Sequence, residues 1–271
     1  MRKRALTLLM LATLSAGAFA KDGKAPPPDP TQDALMMGAG FLTHHPDMKY
    51  RLLGMDAFKK AEYEDALRFF RRASFYADKP SQGMVAEMLW SGQGAPQDRA
   101  LAYAWMDLAA ERGYRGFLGL RERYWKQLTE EEQTRALAEG EAVYARFGDA
   151  AAKPRYEQQL RRGRMQMTGS RTGFTGNLQI LIPGGSEDSY TTLDGSKFYD
   201  ERYWDAKKYW AYTDQMWKNP PIGRVSVGEV EQVDQATGSR VRETAPERDA
   251  QEPDVPEEPK PMPGIVVPKK D

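Results

Sequence analysis

Between about residues 34 and 166, apolar side chains recur at spacings of three and four in a background of Ala, Leu, Arg and Glu, which is the texture of helices. Two stretches carry the same pattern. EYEDALRFFRRASFYA (62–77) places Ala66, Phe69, Phe70, Ala73 and Ala77 at i, i+3, i+4, i+7 and i+11, and DRALAYAWMDLAAERG (98–113) places Ala102, Trp105, Met106, Ala109 and Gly113 at the same offsets, 36 positions later. Each set predicts one apolar stripe on one helix, with alanines that let a neighbour approach and aromatics that fill the groove. A further helical run precedes each stretch, MKYRLLGMDAFKKA (48–61) and PSQGMVAEMLW (80–90). Helix, turn and helix at a period in the mid-thirties predicts a helical solenoid.

The break between the second pair, SGQGAPQD (91–98), has two readings. Gly92 and Gly94 at positive φ would end one helix, and Pro96 with Asp98 would restart the next. A phosphate-cradling loop would need a strand before it and a Gly-Lys-Ser/Thr ending. The run before it is helical and no lysine follows. The loop is expected to be a hinge.

VAEMLWSGQGAPQDRALAYAWMDLAAERG (85–113) resembles one unit of the Sel-like repeat family, relatives of the tetratricopeptide repeat with a longer loop between the paired helices. The matching positions are Gly92, Gly94, Pro96, Asp98, Ala102, Trp105, Ala109, Ala110 and Gly113. The upstream unit (about 48–77), joined by the shorter KKAEYED, is closer to a tetratricopeptide turn, and RGFLGLRERYWKQLT (115–129) supplies a further half-unit. The resemblance implies an α-solenoid and no chemistry of its own. It also departs from secreted relatives with paired cysteines, because this chain has none. Thr129 with Glu132 forms a capping-box signature, and Pro154 reads as a first-turn residue; helices over 129–149 and 153–167 are expected to cap the solenoid.

Outside this block the texture changes. MRKR, a short apolar run and Ala18-Phe19-Ala20 read as a secretory signal peptide cleaved before Lys21. With Arg2, Lys3 and Arg4 removed, a chain of zero formal charge becomes mildly acidic, and bulk electrostatics favour no nucleic-acid partner. No later segment is apolar enough to span a bilayer. KDGKAPPPDPTQD (21–33) reads as a tether. LQILI (178–182) and RVSVGEVEQV (224–233) read as strands, and DERYWDAKKYWAYTDQMW (200–217) as an aromatic-studded helix. The proline-rich stretch after 236 cannot bury enough surface to order itself.

The expected fold is therefore mainly α: a signal peptide (1–20), a linker (21–46), a short solenoid with capping helices (47–167), a small α+β unit (168–235) and a disordered tail (236–271). Chemistry is sparse. His44 and His45, the two histidines, diverge by about 100° on a helix and make a poor metal site, so they are expected at the surface or at a cap. RRGR (161–164) reads as solvated. In 187–217, seven acids alternate with aromatics including Trp204, Trp210 and Trp217. That mixture would suit a sugar platform, but Tyr203, Trp210 and Trp217 at intervals of seven fit packing against the solenoid better. The sequence points to a periplasmic or secreted, non-enzymatic module without cofactor or metal that binds an unidentified protein or peptide. The alternative is a cell-wall glycan binder or hydrolase centred on 187–217.

Overall fold

The computed structural model describes residues 28–168, 178–184, 189–218 and 239–240. The expected signal peptide and the strand expected at 224–233 lie outside the described residues, as does the tail from 236 apart from Ser239 and Arg240. The described residues are mainly helical, with one two-stranded antiparallel sheet among them. No described helix is long and apolar enough to cross a membrane.

The stretch expected to be a linker is structured from Pro30 onward. Asp33 caps α1 (Ala34–Gly38) by accepting from the amides of Leu35 and Met36. A 3-10 turn at Phe41–Thr43 then leads into α2 (Pro46–Lys59), which has Pro46 in its first turn. Met36, Ala39 and Phe41 are buried, so the linker boundary at 46 is corrected: the apolar residues of this segment belong to a core.

Helices α2 and α3 (Tyr63–Ser74) form a pair joined by a tight turn with Ala61 at φ 61°. Next come α4 (Lys79–Ser91) and α5 (Arg99–Ala109), a second pair; α3 also packs on α4. The expected single stripe on α5 is corrected. Every residue from Ala102 to Ala110 is buried, because α4, α6 (Arg115–Gln127) and α7 (Glu130–Phe147) surround this helix. Thr129 and Glu132 satisfy each other's backbone amides at the start of α7. The next helix, α8 (Asp149–Thr168), begins four residues earlier than the sequence predicts, which puts Pro154 inside it rather than in its first turn. Buried ion pairs at Asp149 anchor the earlier start.

Strand β1 (Gln179–Pro183) pairs antiparallel with β2 (Tyr190–Asp194), from Gln179 opposite Asp194 to Pro183 opposite Tyr190. Ile180, Ile182 and Leu193 turn inward, while Leu181 and Tyr190 are exposed, as a two-sided hairpin requires. Two short helices, α9 (Gly195–Phe198) and α10 (Glu201–Trp204), lead to α11 (Ala206–Lys218). The single helix expected at 200–217 is broken at Asp205, whose extended backbone lets its carboxylate accept from the amide of Lys208.

Two apolar cores result. The first lies between α2 and α7 and contains Ala66, Phe70, Val85, Trp105, Met106 and Tyr144. The second joins the two ends of the described chain, with Met36, Phe41 and Met48 against Tyr156, Phe198, Trp204 and Tyr209.

Candidate functional site

The glycine loop is occupied by its own backbone. Gly92 (φ 72°) closes α4 and Gly94 (φ 76°) follows, both in the left-handed region where a side chain is strained. The amide of Gln93 donates to Met88 O at 2.8 Å and that of Asp98 to Leu89 O at 3.0 Å. A Cβ on Gly94 would lie 2.3 Å from Tyr63 O, so this glycine is where the second pair seats on the first. Asp98 caps α5 through the Leu101 amide (3.0 Å), whereas Pro96 stays in the loop, outside the first turn. The open depression beside the loop, about 920 Å³, is edged by Glu62, Glu64 and Asp65 and by Arg68, which Asp65 already pairs, so the rim stays net acidic and would repel a phosphate.

Ala102, Trp105, Ala109 and Ala110 are buried, and Gly113 ends the segment at φ 71°. Trp105 packs against Phe147 of α7, with ring centroids 4.7 Å apart, so its environment extends beyond its own pair.

Of the face expected to be shared by Tyr203, Trp210 and Trp217, the two tryptophans of α11 line one recess with Lys79, Pro80 and Arg112, whereas Tyr203 lies on α10 in the second core. Trp204 is inside the second core, its Nε1 donating to Phe198 O at 2.7 Å. Half-buried Trp210 lies under Arg112 (5.0 Å) and donates to Glu157 (3.1 Å). Trp217 faces Arg51 at 5.7 Å. The fully buried positions of α11 are Tyr209 and Tyr212, which the break at Asp205 rotates inward.

A belt of buried charge ties these elements together. Lys79, 1% exposed, reaches Glu111, Asp149 (3.2 Å), Gln82 (3.0 Å) and Leu108 O (3.1 Å). Arg112 clasps Asp149 at 2.7 and 2.8 Å, and Tyr114 donates to Asp214 of α11 at 2.6 Å. Burial pushes the Asp149 carboxyl up, but Lys79 and Arg112 outweigh it and hold the group well below the usual carboxylate range. Burial raises Glu111. Nearby, Asp78 caps α4 and pairs with Arg51 at 2.5 Å.

Asp47 and His45 are the buried titratable pair of the second core. Of the two histidines expected at the surface or at a cap, His45 stands at the N-cap position of α2, but it is fully buried and its side chain makes no capping bond. Its Nδ1 lies 2.9 Å from Phe41 O and its Nε2 lies 3.0 Å from Tyr203 O. Burial outweighs these two carbonyls and pushes the ring down to about 4. Tyr209 donates to Asp47 Oδ2, while Oδ1 is buried without a hydrogen-bond partner. Burial, then the charge of Asp78, pushes the Asp47 carboxyl up to about 6.

A third cluster lies between α5, α6 and α7. Asp107, fully buried on α5, receives the Tyr144 hydroxyl at 3.0 Å and lies 3.5 Å from Arg121 of α6. Ser239 donates its hydroxyl to Asp107 Oδ2. Arg240 forms an end-on pair with Glu122, donating from Nη1 at 2.7 Å and from Nη2 at 2.6 Å, bonds Tyr103 Oη at 3.2 Å and lies 5.0 Å over Trp125. Ser239 and Arg240, on the stretch expected to be a free tail, thus meet Asp107 and Glu122. The sequence does hold a signal for this cluster: Asp107 is the one acid in ALAYAWMDLAA (100–110), a run otherwise without charge.

Among the described residues no group of three or more His, Asp or Glu is arranged to hold a metal ion. No family model matches the chain, and neither a curated protein nor a solved structure does so.

Proposed function

We propose that this chain is a periplasmic or secreted protein–protein interaction module without catalytic activity, built on a short solenoid of Sel-like repeats. The observation that carries the reading is the seating of one helix pair on the other: α2–α3 and α4–α5 pack in succession through α3 and α4, and Gly94 sits against Tyr63 where the second pair begins. Such stacking presents side chains from successive helices on one continuous surface, the general arrangement by which helical repeats bind partners. The glycan reading has less support, because Trp204 is spent on the core and Trp210 and Trp217 are engaged by Arg112 and Arg51.

The test is site-specific photo-crosslinking of the exported protein, with the probe placed at successive exposed positions of α6 and α7. One discrete protein captured from contiguous positions is the expected result. Absence of capture, together with retention on purified peptidoglycan that Trp210→Ala and Trp217→Ala abolish without loss of fold, would replace this reading with the glycan one.

A further inference from the structure

The α5–α6–α7 groove has the build of a ligand site. Its floor is Asp107, a carboxylate with no exposure, held by Tyr144 and Arg121; its walls are Glu122 and the Trp125 ring, both of which meet the Arg240 guanidinium. Burying a carboxylate costs several kcal/mol unless partners compensate, so an acid fixed here is matched by whatever donor enters. The donor present is the Ser239 hydroxyl, followed by a guanidinium that takes both oxygens of Glu122 and lies over an aromatic face. Two parallel N–H···O bonds with stacking suit the planar fork of arginine and not the point charge of lysine.

Resting on the interaction-module reading, we infer that this groove binds a peptide segment in which a hydroxyl residue precedes an arginine, and that Ser239–Arg240 of the same chain fills it as an internal competitor. The chain's own segment shows the chemistry the groove accepts. A tethered ligand acts at an effective concentration on the order of millimolar, so a free peptide must displace it.

The probe is a fluorescently labelled peptide with the sequence of residues 234–246, measured by anisotropy against the full chain. Wild type is expected to bind it weakly, and Arg240→Ala, which vacates the groove, at least about tenfold more tightly. Adding Glu122→Lys to Arg240→Ala is expected to abolish the gain, with circular dichroism showing both variants folded. A peptide with lysine in place of arginine is expected to bind Arg240→Ala several-fold more weakly. Equal affinity of wild type and Arg240→Ala would overturn the competitor assignment. Equal binding of the arginine and lysine peptides would overturn the recognition chemistry. A dimer in sedimentation that Arg240→Ala dissociates would seat the tail of a second copy in the groove, and would also overturn the internal assignment. The module reading fails separately: crosslinking to a partner elsewhere on α6 or α7 leaves it standing when this groove binds nothing.

Discussion

The two cores are assembled in different ways. The first is mostly local: α2 packs on α3, α3 on α4, α4 on α5 and α5 on α6, each on the helix next in sequence, with α7 folding back on α5 to close it, and its alanines alternate with aromatics at helical spacing. The second is non-local. His45 meets the Tyr203 carbonyl across 158 positions and Asp47 meets Tyr209 across 162. Its aromatics pack edge to face, Phe41 against Tyr203 at 5.4 Å and against Phe198 at 5.9 Å. Periodicity reports the first kind of core because one helix face repeats. It is silent on the second, where each segment brings only a few apolar residues and the partner segment lies at the other end of the chain.

The strongest way to break this comparison is to empty each core in turn. Trp105→Ala is expected to cost about 3–5 kcal/mol by leaving a cavity, and Phe41→Ala a similar amount, both read from denaturation midpoints. An unchanged midpoint in Phe41→Ala would return residues 34–45 to the status of a linker and leave the protein with one core.

The charged belt sits where the cores meet. Lys79→Met is expected to destabilise by about 3 kcal/mol, since it leaves Glu111 and Asp149 buried with one cation fewer. A loss below about 1 kcal/mol would mean that Arg112 and Lys153 suffice and that the belt is not a joint.

At the hinge, the two glycines separate strain from contact. Both Gly92→Ala and Gly94→Ala lose the left-handed freedom, a cost of about 1 kcal/mol, but only position 94 also meets the Tyr63 carbonyl. Gly94→Ala is expected to cost about 2 kcal/mol or more. Equal losses at the two positions would remove Gly94 as the seat between helix pairs.

The smallest expected effect is a pH slope specific to the second core. Asp47 has its carboxyl raised to about 6, so it contributes stability that is full below its unfolded value near 4 and is lost as pH rises through 6. His45 is depressed to about 4, so its contribution is present above its unfolded value of about 6.5 and is lost as pH falls toward 4. The two oppose each other between pH 4 and 6. In Asp47→Asn only the histidine remains, and acidification from pH 6.5 to 4.5 is expected to lower stability by about 1 kcal/mol more than in wild type. Urea midpoints at the two pH values measure this, and parallel behaviour of the two proteins would show that the carboxyl does not titrate in that window.

The helices α2 to α7, the glycines that end α4, the Asp98 cap and the Thr129–Glu132 box were all legible in the sequence. Each is set by residues within one or two turns of one another, where propensity and capping act. The sequence also marked Trp105 as apolar core. Tertiary structure alone decided that 34–45 is core and not tether, that α5 is enclosed on all sides, and that Asp205 divides the last helix so that Tyr209 and Tyr212 turn inward. It alone brought Arg240 to Glu122 across 118 positions. Glu122 on α6 and one of the three arginines in a proline-rich tail have no shared period, and their pairing exists only once α5, α6 and α7 have packed together.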